Sequence, residues 1–114
     1  MIISIFGGTV LQPGMEDAES AAMDLLAPIY RSMPGFISYD YFTGEDGAEI
    51  SIARFTTREA MREWVRQPDH VEVQKRAGEL YSDLWVQTAE TFREARLIGG
   101  KPVDMDLTHL FREG

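Results

Sequence analysis

Every stretch of this chain that reads as a β-strand carries apolar side chains at both phases of its alternation. Successive strand side chains point to opposite faces, so a sheet with one wet face alternates apolar with polar residues. Residues 1–10, MIISIFGGTV, break that pattern: Ile3 and Ile5 fall on one face, and Ile2, Phe6 and Val10 on the other. Two further runs, 36–43 (FISYDYFT) and 48–56 (AEISIARFT), flank Gly44-Glu45-Asp46-Gly47, and Asp-Gly between β-rich runs signals a hairpin. Pairing Gly44 with Glu49 sets Tyr39 opposite Arg54 and Tyr41 opposite Ile52. One face then carries Ile37, Tyr39, Tyr41, Ile50, Ile52 and Arg54; the other carries Phe36, Ser38, Asp40, Phe42, Ser51, Ala53 and Phe55. Both faces of such a sheet need cover.

Between the strands the apolar period changes to that of a helix. Ala18, Ala22, Leu25, Leu26, Ile29 and Met33 predict a helix over 16–33, with Glu16 and Asp17 in the dipole-favoured first turn. Pro28 predicts a kink or early end, and Pro34-Gly35 a stop. Thr56-x-x-Glu59 reads as a capping box opening a second helix striped by Ala60, Met61, Trp64 and Val65. Pro68 ends that helix and suits the first turn of another segment, 69–81, with Val73, Ala77, Leu80 and Tyr81 inward. Residues 84–93 read as the last strand, and the tail from Glu94 as a loop with a short helical turn at Leu107, Leu110 and Phe111.

The order β-α-β-β-α-β predicts an α+β, ferredoxin-like domain: an antiparallel four-stranded sheet with helices on one face. The helices leave the other face bare, and the simplest cover is a second copy, so a homodimer packed sheet to sheet is expected. At 114 residues the chain is one domain.

Charge and composition narrow the function. A formal charge of −8 opposes a phosphate backbone or an anionic membrane surface, so neither nucleic acid nor membrane is an expected partner. No apolar run approaches a membrane span, and MIISIF lacks the basic flank of a signal segment, which predicts a cytoplasmic protein. The absence of cysteine excludes thiolate chemistry. His70 and His109 lack metal-ligand spacing, so no metal site is expected. Gly7-Gly8 and Gly99-Gly100 lack phosphate-loop spacing and read as strand bend or loop.

His70 is the residue best placed for chemistry. It follows Pro68 at a helix start, where the terminus disfavours imidazolium, and a neutral imidazole is what a general base near pH 7 requires. Asp69 and Glu72 push the opposite way, leaving the direction of its pKa shift open, and a half-exposed capping histidine is the plainer alternative. His109, in the tail, is the weaker of the two. Trp64, Tyr81, Tyr39, Tyr41, Phe36, Phe42, Phe55 and Trp85 make either core and dimer interface or an apolar pocket for a flat aromatic ligand. Arg54 and Asp40 lie mid-strand, where charge must either pair with a neighbour or face a wet cavity.

Three stretches in order, Met33-Pro34-Gly35-Phe36-Ile37-Ser38-Tyr39, Ala53 to Trp64, and Pro68-Asp69-His70-Val71-Glu72-Val73-Gln74, resemble the antibiotic biosynthesis monooxygenase family. The resemblance covers residues 1–94 as one domain and leaves 95–114 as a C-terminal tail. It implies a dimeric α+β barrel. Members include cofactor-free oxygenases of polyketide anthrones, quinol oxygenases, isomerases and haem-degrading enzymes. Trp64 matches a tryptophan shared by several oxygenase and haem-degrading members. Phe6 and Val73 stand where the haem-degrading members carry an asparagine and the iron-ligating histidine, so haem is not expected. Ala60 replaces the helix asparagine of the anthrone oxygenases, whereas His70 falls on their polar position six residues after the tryptophan.

The implied activity is a cofactor-independent monooxygenase taking O₂ and a phenolic, quinol or polyketide-type aromatic, with no cofactor. His70 would be the base, Tyr81 and Arg54 would stabilise oxyanions, and Trp64, Tyr39 and Phe36 would bind substrate. An isomerase on the same scaffold and a non-catalytic small-ligand-binding dimer are the alternatives.

Overall fold

The computed structural model describes residues 1–106, so His109 and the turn expected at Leu107, Leu110 and Phe111 lie outside the described residues. The elements are β1 (Ile2–Leu11), α1 (Glu16–Ser32), β2 (Phe36–Thr43), β3 (Glu49–Phe55), α2 (Arg58–Arg66), α3 (Pro68–Lys75), α4 (Ala77–Leu80), β4 (Tyr81–Glu90), β5 (Arg93–Ile98) and β6 (Lys101–Asp106). β1 to β4 form an antiparallel sheet in the order β2-β3-β1-β4, the ferredoxin-like arrangement. No helix of the described residues is long and apolar enough to cross a membrane.

Alternation sorts the sheet into two faces. Ile2, Ser4 and Phe6 of β1 stand beside Phe55, Ala53 and Ser51 of β3 and face the helices. The core is Ile2, Ala53 and Phe55 from this face with Leu26 and Tyr30 of α1 and Trp64 of α2. Ser4 is buried among them and is satisfied by Thr88, Oγ to Oγ1 at 3.0 Å. The outer face carries Ile3, Ile5, Ile52 and Arg54, with Phe42, Ile50 and Trp85 exposed on it.

Several local expectations are corrected. The hairpin register is one residue off the expected one: Thr43 pairs with Glu49, Tyr39 with Ala53 and Tyr41 with Ser51. The cause is a loop closed by Gly44 N–H on the Ala48 carbonyl (2.7 Å), with Gly47 at φ 82° and Asp46 Oδ1 accepting from Ala48 N–H. One residue of slip moves a side chain to the opposite face. Tyr39 and Arg54 therefore part company. The cap of α2 is Thr57, not Thr56, its side chain accepting from Ala60 N–H. α1 spans Glu16–Ser32 as expected, so Pro28 does not end it early, and β4 begins at Tyr81, which was expected to close a helix. The tail is no loop: Gly99 and Gly100, both at positive φ, turn β5 into β6.

Gly7 has a specific packing role. A Cβ there would stand 2.2 Å from the Trp85 ring, which lies across β1. Gly7→Ala should displace that indole and cost about 1–3 kcal/mol, the usual scale of overpacking. Chemical denaturation measures the loss, and adding Trp85→Ala should restore most of it. No recovery in the double variant would place the strain elsewhere.

Candidate active site

The inner stripe of α1, the helix-side face of β2 and β3, and the α2–α3 elbow enclose a cavity of about 440 Å³. Its wall is aromatic. Tyr30 lies at the centre, with ring centroids 5.0 Å from Phe36, 5.4 Å from Tyr39 and 5.5 Å from Trp64. Phe36 and Tyr39 were expected on opposite faces. A bulge between Phe36 and Ser38 turns both into the cavity.

The α2–α3 elbow is built by Pro68. In an unbroken helix the Trp64 carbonyl would accept from the N–H of residue 68, and proline has none. The chain instead extends at Gln67 and restarts with Pro68 in the first turn. The Trp64 carbonyl then accepts from Gln67 N–H and, at 2.9 Å, from His70 Nδ1. Gln67 Oε1 in turn accepts from His70 N–H at 2.8 Å. The imidazole lies flat on the Trp64 indole, centroids 3.9 Å apart and planes 12° apart.

This geometry selects a tautomer. A carbonyl can only accept, so Nδ1 carries the proton and Nε2 of the neutral ring keeps its lone pair. Burial pushes the His70 pKa down, the Trp64 carbonyl partly opposing it. The open question of direction is thereby answered. Asp69 Oδ2 lies 3.2 Å from Gln67 Nε2 and Glu72 Oε1 3.2 Å from Lys75 Nζ, so both acids have other partners.

Tyr81 donates its phenolic proton to the Glu19 carboxylate in a short hydrogen bond. Burial and then Glu19 push its pKa well up, so it stays protonated. Tyr41 is pushed up to about 12, chiefly by its hydrogen bond to Glu49, and Tyr39 is raised by burial.

Of the residues singled out in the sequence, His70, Tyr81, Trp64, Tyr39 and Phe36 all line this cavity, and Arg54 does not. Arg54 stands on the outer face beside Ile3, and the register slip brings Asp40, 3.0 Å away, and Ser38 Oγ, 3.5 Å away, onto that face with it. Its charge is met by pairing. Glu19 and Tyr30 were not anticipated. Glu19, Ala22, Leu26 and Tyr30 follow one another at helical spacing, so a carboxylate on an apolar stripe was the available signal. Chemically, the site is an apolar aromatic box with a neutral nitrogen base in its wall and a phenol–carboxylate pair elsewhere on it. Among the described residues no cluster of three or more histidine, aspartate or glutamate side chains could hold a metal ion.

Known proteins give the same picture of the fold. No curated protein matches the chain in sequence. The structure is similar to that of Rv0793 from Mycobacterium tuberculosis, with 22% identity over 80% of this chain and 95% of that one and a TM-score of 0.67. It is similar also to SO0527 from Shewanella oneidensis (21% identity, 77% and 87% covered, TM-score 0.66). SnoaB, a cofactor-independent oxygenase from Streptomyces nogalater, shares 16% identity over 79% of this chain and 92% of its own, with a TM-score of 0.62. The family model described as antibiotic biosynthesis monooxygenase matches residues 1–76. With most of the chain matched and the fold in agreement, this protein belongs to the antibiotic biosynthesis monooxygenase family.

Proposed function

We propose that the chain is a cofactor-independent monooxygenase acting on a phenolic, quinol or polyketide-type aromatic. The observation that carries this reading is the fixed tautomer of His70, a neutral base in the wall of an aromatic cavity. Triplet O₂ does not react directly with a closed-shell neutral molecule, but an electron-rich phenolate can pass it one electron. His70 Nε2 accepts the substrate proton. The phenolate and O₂ become a radical pair, which combines at a ring C–H carbon to a peroxide that takes the proton back from His70. Loss of water, with that carbon's hydrogen, leaves a carbonyl. Counted on the keto tautomer of the phenol, a CH₂ group and O₂ give C=O and H₂O. Trp64, Tyr39 and Phe36 hold the ring and keep water from the charged intermediates. Tyr81 is restrained by Glu19, and Arg54 is paired with Asp40 on the outer face, away from the cavity lining.

The kinship with SnoaB supports the oxygenase class. Oxygen consumption on adding a naphthohydroquinone, above the autoxidation rate, is the expected result. An isomerase needs the same base and no O₂. Binding with conversion but no oxygen uptake would favour it, and binding with neither would favour a ligand-binding dimer.

We also propose that two copies pack outer face to outer face. Phe42, Ile50 and Trp85 are exposed there, 53%, 38% and 41% respectively, beside Ile3, Ile5 and Ile52. An apolar sheet face of this extent is unusual on a monomer. Light scattering at micromolar concentration should give twice the chain mass of 12.9 kDa. A monomer mass would contradict the dimer.

A further inference from the structure

The charged groups lining the cavity are unequal in sign: Glu19, Asp24 and Glu49 against Arg31. Arg31, Asp24 and Glu49 are all exposed, the Arg31 guanidinium 5.9 Å from the Tyr30 ring centroid, so of these charges Glu19 is the one withdrawn from solvent. Glu19 is half-buried on the inner stripe of α1, its carboxylate held by Tyr81. A carboxylate offers about four acceptor sites and no donor. Tyr81 fills one, and its proton is no longer available to a ligand. Tyr41 is held protonated by Glu49 beside it. This side of the cavity therefore accepts hydrogen bonds and repels negative charge, in surroundings less screened than water.

We infer that Glu19 is the specificity-determining residue of the cavity, admitting aromatics with an uncharged hydroxyl head and rejecting those with a carboxylate. The inference rests on the cavity being the substrate site, as proposed above. A hydroxyl ligand gives its proton to a free lone pair of Glu19. A carboxylate ligand brings a second anion to the same place and finds the Tyr81 proton already given to Glu19.

Calorimetric titration with 2-naphthol and 2-naphthoate at pH 7, where the first is neutral and the second ionised, tests this. The wild-type protein should bind 2-naphthol at least about tenfold more tightly, the scale of one like-charge contact in a partly buried site. Glu19→Gln should tighten 2-naphthoate about tenfold and leave 2-naphthol within about threefold. Glu63→Gln, which removes one charge from the exposed side of α2, should change neither and so separates the local effect from the overall charge. Should Glu19→Gln fail to fold, Glu49→Gln should tighten 2-naphthoate in the same direction by less. Equal affinities in the wild type, or an unaltered preference in the folded variant, would overturn the inference. Binding of neither probe would overturn the cavity reading and this inference with it. Tight 2-naphthol binding with no oxygen uptake from any quinol would sink the oxygenase reading alone.

Discussion

Replacing His70 with alanine should lower turnover by about 10² to 10⁴, the usual scale for losing a general base, with the fold retained. The imidazole is half-buried and lies on one face of Trp64, so its removal trims the cavity wall without opening the core cluster. The pH profile makes the test specific. Only the neutral ring accepts a proton, so the wild-type rate should rise with pH and level off once His70 is deprotonated. Burial lowers its pKa, so the inflection should lie below the ordinary 6.5. Stability shares that sign. The unfolded chain protonates His70 more readily than the folded one, so stability is lost as pH falls from about 6.5 through the folded pKa. His70→Ala should abolish both inflections. An active variant with the wild-type profile would leave His70 structural and shift attention to Glu19.

Trp64→Ala should carry the largest stability cost, about 3–5 kcal/mol for truncating a buried aromatic. Trp64 is 8% exposed and joins the core cluster to the cavity, edge-on to Tyr30 and stacked on His70. Urea unfolding should show a lower midpoint with an unchanged slope. The same substitution removes cover from the imidazole, so the His70 pKa should move back toward 6.5, readable by proton NMR. A loss under about 1 kcal/mol would mean that the cavity collapses around the deletion. An unmoved His70 pKa would mean that burial there comes from other residues.

What could be read in the sequence, and what could not, follows the range of each interaction. Element order was legible because alternation, helical spacing and the breakers Pro34-Gly35 and Pro68 act within a few residues. The placement of His70 at a helix start was legible for the same reason: Gln67, Pro68 and the Trp64 carbonyl all lie within six positions of it. The hairpin register was not. It depends on which backbone groups close the Gly44–Ala48 loop, and one residue of error put Arg54 beside Tyr39 rather than Asp40. Tyr81 and Glu19 are 62 positions apart, and only the folded chain brings them together. The C-terminal hairpin was missed because Pro102 reads as a breaker. It is tolerated in β6, a strand with one neighbour, where half the backbone donors face away from the ladder.

In the proposed reaction an aromatic substrate sits between α1, the helix-side face of the sheet and α3, with its reacting hydroxyl on His70. A crystal structure with a naphthohydroquinone bound under anaerobic conditions measures this directly. Ligand density is expected against Trp64, Tyr30 and Tyr39, with one hydroxyl oxygen within about 3.2 Å of His70 Nε2, the upper reach of a catalytic hydrogen bond. Density on the outer sheet face, or in the cavity with its hydroxyls turned away from His70, would contradict it.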